Sequence, residues 1–160
     1  MAKKSKQIKH PDKFSLDETD KQIINSLLQN SRLSLREIAK KTGISVATAM
    51  NRLKKLESSS LITGYTTKVD YEKAGFDIEV MIEIRISKGK LFEVENKIAI
   101  HPNVFAVYDV TGSFDCIIFA RFPGRRQMDA FLKKVQTFEF VERTETKLIL
   151  NTIKEKNIQV

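Results

Sequence analysis

Leu35-Arg36-Glu37-Ile38-Ala39-Lys40-Lys41-Thr42-Gly43-Ile44-Ser45-Val46-Ala47-Thr48-Ala49-Met50-Asn51-Arg52-Leu53-Lys54-Lys55-Leu56 is two short amphipathic runs joined by a few residues. In the first run Leu35, Ile38, Ala39 and Thr42 recur at i, i+3, i+4 and i+7, the spacing of one helical face. Ser34 with Glu37 makes a capping box at its start. Gly43 stands where a helix ends on a left-handed residue. Ser45 caps the second run, whose apolar stripe is expected to be Val46, Ala49, Met50, Leu53 and Leu56. Two helices joined through a Gly-containing turn are the helix-turn-helix signature. Ala39 is small where the helices should cross. The second helix then exposes Ser45, Ala47, Thr48, Asn51, Arg52 and Lys55, with no acid among them. Arg can bond guanine bidentately and Asn adenine. A plain three-helix bundle with a solvated face would share the caps and the stripe. The Gly turn, the small crossing residue and the acid-free face together favour a nucleic-acid contact.

Upstream, Ser15-Leu16-Asp17-Glu18 reads as another capping box, with Ser15 as the cap. Leu16, Ile23, Ile24, Leu27 and Leu28 give the helix that follows one face, and Asn30-Ser31 stops it. Downstream, Leu61-Ile62-Thr63-Gly64-Tyr65 turns the chain toward a short wing or a linking strand.

The second half alternates differently. From Ile78 to Ser87 the even positions are all Ile or Val and the odd ones mostly polar, which predicts a half-buried strand. Lys88-Gly89-Lys90 turns the chain. Leu91, Val94 and Ile98 mark a helix ending before His101-Pro102. Strands are expected over Val104 to Thr111 and Phe114 to Phe122, split by Gly112-Ser113. Met128, Phe131, Leu132 and Val135 mark a further helix, and Val141 to Ile153 a last strand. The order βαββαβ is the ferredoxin-like plan, so the fold class is α+β. Met81, Phe105, Val107, Ile117 and Phe119 lie on the other strand parity. That face therefore also needs cover, by a second copy of the chain or by Tyr71, Phe76 and their loop.

The 160-residue chain carries 28 Lys and Arg against 20 Asp and Glu. Residues 1–75 hold 15 of the bases and 8 of the acids; residues 76–160 are near balance, with 13 and 12. A basic half joined to a near-neutral half suits a polyanion binder with a partner module. No apolar run is long enough to span a membrane. One cysteine, Cys116, excludes an internal disulfide and fits an intracellular, cytoplasmic protein. No Walker loop is present, since Gly89-Lys90 leads into Leu91. Nor is there a His/Cys metal cluster, an aromatic RNA-binding strand motif or a need for a cofactor. Cys116, within a strand, His10, in the basic tail, and His101, at a helix end, read as structural or incidental rather than catalytic.

The order and spacing of these motifs resemble the Lrp/AsnC family, also called feast/famine regulators, over about residues 15–155. The segments that carry the resemblance are Leu16-Asp17-Glu18-Thr19-Asp20, Leu35-Arg36-Glu37-Ile38-Ala39, Gly43-Ile44-Ser45, Arg52-Leu53-Lys54-Lys55-Leu56-Glu57, Leu61-Ile62-Thr63-Gly64-Tyr65 and Val110-Thr111-Gly112-Ser113-Phe114-Asp115. The resemblance implies a sequence-specific transcriptional regulator, not an enzyme, and the chain divides into four stretches. Residues 1–13, outside the resemblance, are expected from their lysines to be a basic, disordered tail. Residues 14–66 would be a winged helix-turn-helix, residues 67–76 a linker strand, and residues 77–160 a ferredoxin-like dimerisation and effector domain. Ser34, Ser45, Thr48, Asn51, Arg52, Lys54 and Lys55 are the expected contacts to double-stranded DNA. Thr111, Gly112, Ser113, Phe114 and Asp115 match the effector loop, in which backbone amides would hold a carboxylate and Asp115 an ammonium, as an amino-acid effector requires. The rival reading is a hairpin in which Asp115 bonds only local amides. The expected partners are DNA, a second copy in a homodimer, further copies in a higher oligomer, and a small effector. Two chains contributing Arg52, Lys54 and Lys55 would give ~6 phosphate or base contacts and a salt slope of about −5. Gln136-Thr137-Phe138-Glu139-Phe140-Val141 departs from the family, lacking its usual Pro-Gly turn. The alternatives are a small-molecule sensor, or an architectural DNA binder with no specific operator.

Overall fold

A computed structural model describes residues 15–87 and 89–160. The basic tail with His10, and Lys88 of the expected turn, lie outside the described residues. The chain forms two compact units, divided after Thr67 and again after Glu155, so that Lys156–Val160 belongs with the first unit. Asn25 on the first helix holds Val160 through two hydrogen bonds. Its Nδ2 donates to the Val160 carbonyl at 3.0 Å, and its Oδ1 accepts from the Val160 amide at 3.1 Å.

The first unit contains α1 (Glu18–Gln29), α2 (Leu35–Thr42) and α3 (Val46–Ser58). Its core is Ile23, Ile24 and Leu27 from α1, Ile38 and Ala39 from α2, and Ala49 and Leu56 from α3. Ala39 and Ala49 are both buried, so small side chains stand at the α2–α3 crossing. Gly43 adopts φ +69 and ends α2, where a side chain would be strained. The cap of α1 departs from the expected Ser15 and Glu18. Asp17 is the N-cap and Asp20 its partner, with Asp17 Oδ1 accepting from the Asp20 amide at 2.8 Å. The box thus stands two residues further on, and both of its carboxylates share one partner on α3, Arg52.

Val46 and Met50 do not join the core stripe expected of them: they are 44% and 49% exposed. Ala49, Leu53 and Leu56 suffice to fill the space against α1 and α2. Beyond α3, the amides of Leu61 and Ile62 both donate to the Leu56 carbonyl, and Ile62 packs on the core. No strand is paired among residues 59–77, and in place of the expected linker strand residues 70–76 close into a turn, the Ala74 amide donating to the Asp70 carbonyl and the Phe76 amide to that of Tyr71. The backbone groups there bond within the turn rather than to a neighbouring strand.

The second unit orders β1 (Ile78–Ile86), α4 (Leu91–Ala99), β2 (Val104–Asp109), β3 (Cys116–Phe122), α5 (Arg125–Gln136) and β4 (Val141–Leu148). The strands form one antiparallel sheet in the order β2-β3-β1-β4, the ferredoxin-like arrangement. Val80, Ile82, Ile84 and Ile86 of β1 share the inner face with Cys116, Ile118, Ala120 and Phe122 of β3, with Val94 and Ile98 of α4 and Phe131 and Val135 of α5 in the same core. The turn from α5 to β4 needs neither Pro nor Gly. Thr137 and Phe138 amides close on the end of α5, the Val141 amide bonds the Phe138 carbonyl, and Phe138 and Phe140 pack on the core.

The opposite sheet face corrects one expected position. Val104 pairs with Ala120 and Ala106 with Phe119, which leaves Phe105 as an extra residue in a bulge. Parity reverses after it, so Val107 packs on the core and Tyr108 takes the outer face. Phe105 and Tyr108 each stand 6.1 Å from Phe119. At one corner the Arg121 guanidinium lies 4.4 Å from the Tyr71 ring and 4.0 Å from the Phe105 ring, with its Nε 2.6 Å from Glu79. Tyr71 packs edge-on against Phe76. The chain's own loop thus covers that corner, while Phe105 and Tyr108 remain about half exposed.

Candidate nucleic-acid interface and ligand cavity

The residues expected to touch DNA separate into two kinds. Ser34 caps α2: its hydroxyl accepts from the Glu37 amide at 3.3 Å and donates to the Glu37 carboxylate at 2.7 Å. Ser45 caps α3 by accepting from the Thr48 amide at 3.0 Å, and its hydroxyl lies 2.8 Å from that of Thr48. Arg52 turns inward. Its Nη1 lies 2.5 Å from Asp17 and 2.8 Å from Asp20, whose side chain is only 4% exposed. The hydrogen bond from Arg52 holds the Asp17 carboxyl below its ordinary value, and the same pairing raises the guanidinium. Arg52 therefore braces α3 against the start of α1. Asn51, Lys54 and Lys55 are exposed on the outer side of α3, with Ala47 and Thr48. Glu57, the one acid of α3, accepts from the Tyr65 hydroxyl at 2.7 Å. Burial, then this bond, pushes the Tyr65 phenol up to about 12. Sequence reasoning missed Val46 and Met50 because apolar residues at i and i+4 look the same whether the face they mark is covered or bare.

A cavity of about 870 Å³ opens at the other expected site. Thr111, Ser113 and Phe114 line it, while Gly112 shapes its loop at φ +126. Asp115 does not line it. Its carboxylate accepts from the Ile86 amide at 2.9 Å and faces Arg85 Nη1 at 3.5 Å, and Arg85 also donates to the Ser113 carbonyl at 3.3 Å. Asp115 thus fastens the loop to the end of β1. The charged groups that do face the cavity come from distant positions: Asp109 on β2, Glu83 on β1, and Glu145 and Lys147 on β4. The Lys147 ammonium pairs with Glu83 and, at 3.0 Å, with Glu145. Both pairings raise its pKa. The polar side of an alternating strand is the one signal that marks Glu83 in the sequence; its meeting with Glu145 and Lys147 depends on strand order.

Cys116 is fully buried, and burial with the neighbouring Glu95 pushes its thiol up to about 12. That makes it a poor nucleophile. His101 packs 4.6 Å from Phe131 and 6.5 Å from Phe122, and its burial lowers its pKa. Among the described residues, no group of three or more His, Cys, Asp or Glu is placed to hold a metal ion, and no helix is long and apolar enough to cross a membrane.

A helix-turn-helix with a basic outward face, in one chain with a sheet domain carrying a lined cavity, defines a DNA-binding regulator with a ligand-binding module. Residues 16–63 match the winged helix-turn-helix DNA-binding model and residues 79–158 the Lrp/AsnC ligand-binding domain model. The chain is 44% identical over 140 residues to an uncharacterised HTH-type transcriptional regulator of Pyrococcus abyssi, covering 88% of this chain and 95% of that one. It is 36% identical over 140 residues to the HTH-type transcriptional regulator FL11 of Pyrococcus furiosus, at 88% and 93% coverage. Its structure resembles E. coli AsnC with a TM-score of 0.84 and 25% identity, covering 92% of this chain and all of that one. It also resembles a Neisseria meningitidis transcriptional regulator in complex with L-Met, with a TM-score of 0.83 and 23% identity, at 89% and 94% coverage. The chain belongs to the Lrp/AsnC family of transcriptional regulators. Its family and these relatives regulate transcription; they are not enzymes.

Proposed function

We propose that this regulator binds a specific, palindromic operator in the cytoplasm as a homodimer, which assembles further, and that an amino acid occupies its cavity as effector. The observation that carries the DNA reading is the outer side of α3: Ala47, Thr48, Asn51, Lys54 and Lys55 are exposed there. A recognition helix lies in the major groove, and a two-fold dimer sets two of them in successive grooves, ~34 Å apart. Asn51 reads a base edge; Lys54 and Lys55 meet phosphates, which position the helix without specifying sequence. Ser34 caps α2, Ser45 and Thr48 close the start of α3, and Arg52 braces α3 against α1, so these four hold the helices in shape rather than reading bases.

The half-exposed rings of Phe105 and Tyr108 support pairing of two sheets face to face. In the cavity, the amides of the Thr111–Ser113 loop and Lys147 suit a ligand carboxylate, and Asp109 with Glu83 suits its ammonium. A regulator of the same fold is known as an L-Met complex, which supports this class of ligand.

An unbiased DNA selection with purified protein at ~150 mM salt tests the first part, since exposed charges are already well screened there. Enrichment of a palindrome is the expected result. Recovery of unrelated sequences alone would replace the operator with backbone binding. Titration of the twenty amino acids against the protein, read by thermal shift, tests the second part. A ligand at 100 times its Kd should stabilise by ~2.7 kcal/mol.

A further inference from the structure

Val46 and Met50 are the first and fifth residues of α3, and both are about half exposed. At ~100° per residue they lie one turn apart on one flank of the helix, beside Ala47 and Asn51. The N-terminal half of a recognition helix is the part that meets base edges. In this chain that half presents the apolar side chains of Val46 and Met50, the methyl group of Ala47, the amide of Asn51, and Thr48, whose hydroxyl is engaged with that of Ser45 at 2.8 Å. The helix does not need Val46 and Met50 for packing, because Ala49, Leu53 and Leu56 already make its contact with the core.

In the major groove the edges of guanine, cytosine and adenine offer only donors and acceptors. Thymine alone adds an apolar group, its C5 methyl. An apolar side chain pressed on any other edge would strip water from polar atoms and give them no partner. From this juxtaposition, which rests on the DNA-binding reading above, we infer that Val46 and Met50 read thymine methyl groups. Each half-site then carries thymines under the first two turns of α3, with an adenine edge next to them for Asn51. Specificity comes chiefly from methyl contacts, with the lysines supplying affinity.

The test replaces thymine by uracil, one position at a time, in the operator recovered by selection. Uracil keeps every hydrogen-bonding group and removes only the methyl. At one or two positions per half-site, affinity should fall about fourfold, the worth of one buried methyl group. Met50→Ala and Val46→Ala, both at exposed positions, should weaken binding to the thymine operator and abolish the response to uracil at the position each side chain covers, a double-mutant cycle. Lys54→Ala should weaken all duplexes alike and leave the uracil response intact. Uracil that is neutral at every position overturns the inference while leaving the operator standing. So does a Met50→Ala and Val46→Ala pair in which each variant keeps the parent ratio of thymine to uracil affinity. A selection that yields no preferred sequence removes both the operator and the inference.

Discussion

Arg52 is the residue whose role changes most between sequence and structure. As a base reader it would leave base preference weakened when removed; as a brace it should leave preference intact and loosen the domain. Arg52→Met strands Asp20, a carboxylate almost out of water, without its cation. The expected outcome is a lower unfolding midpoint with an unchanged selected sequence, and partial recovery of the midpoint in Arg52→Lys. Thermal melts and a repeated selection check both. Glu95 gives a second test at this scale. Its Oε1 has no hydrogen-bond partner, and burial, then the charge of Asp109, holds its carboxyl above the ordinary 4.5. From 4.5 up to that raised value the folded domain binds more protons than the unfolded chain, so stability falls as pH rises through the window. His101 runs the other way: its lowered pKa means stability is lost as pH falls below 6.5. Glu95→Gln should raise the midpoint at neutral pH, and its advantage should vanish below 4.5. Melts of parent and variant at matched pH isolate this from His101. Neither pairing was legible in the sequence, since 32 residues separate Arg52 from Asp20 and the neighbours of Glu95 are set by how α4 crosses the sheet.

Elements were far more legible than their partners. Period 3.6 and period 2 mark the helices and strands because each buries one face, and the Gly43 turn marks where two of them meet. The β2 bulge was not legible: Phe105 looks like any strand residue, and only its ladder to β3 shows that it is surplus. The same blindness put Val46 and Met50 in the core, since a helical stripe shows which residues share a side and is silent on what covers it. Two substitutions measure what the elements contribute. Gly43→Ala forces a side chain into the left-handed region and should cost ~1–2 kcal/mol. Leu56→Ala, at a fully buried position where α3 meets the core, should cost ~2–5 kcal/mol. Denaturant melts of the helix-turn-helix unit read both.

At the scale of the whole molecule the charges divide as the work does, with the basic excess in the half that carries α3. With Arg52 committed to α1, a dimer brings ~4 lysine contacts to phosphate, from Lys54 and Lys55 of two copies, instead of ~6. The slope of log affinity against log salt should then be about −4, and affinity should fall on the order of 10² between 50 and 200 mM salt. A slope near −5 or steeper would bring further bases onto the backbone. Tyr108→Glu, placed on the exposed apolar sheet face, should shift sedimentation toward the monomer and weaken operator binding with it. The cavity was legible only in its loop. The loop motif gave Thr111, Ser113 and Phe114, but the charges facing them come from three separate strands.

The brace between Arg52 and Asp20 lies on the side of α3 away from Val46, Ala47, Met50 and Asn51. Changes at those four positions therefore leave the scaffold alone. The proposed reading head is thereby interchangeable: a lineage, or an engineer, can retarget it without first re-establishing the fold.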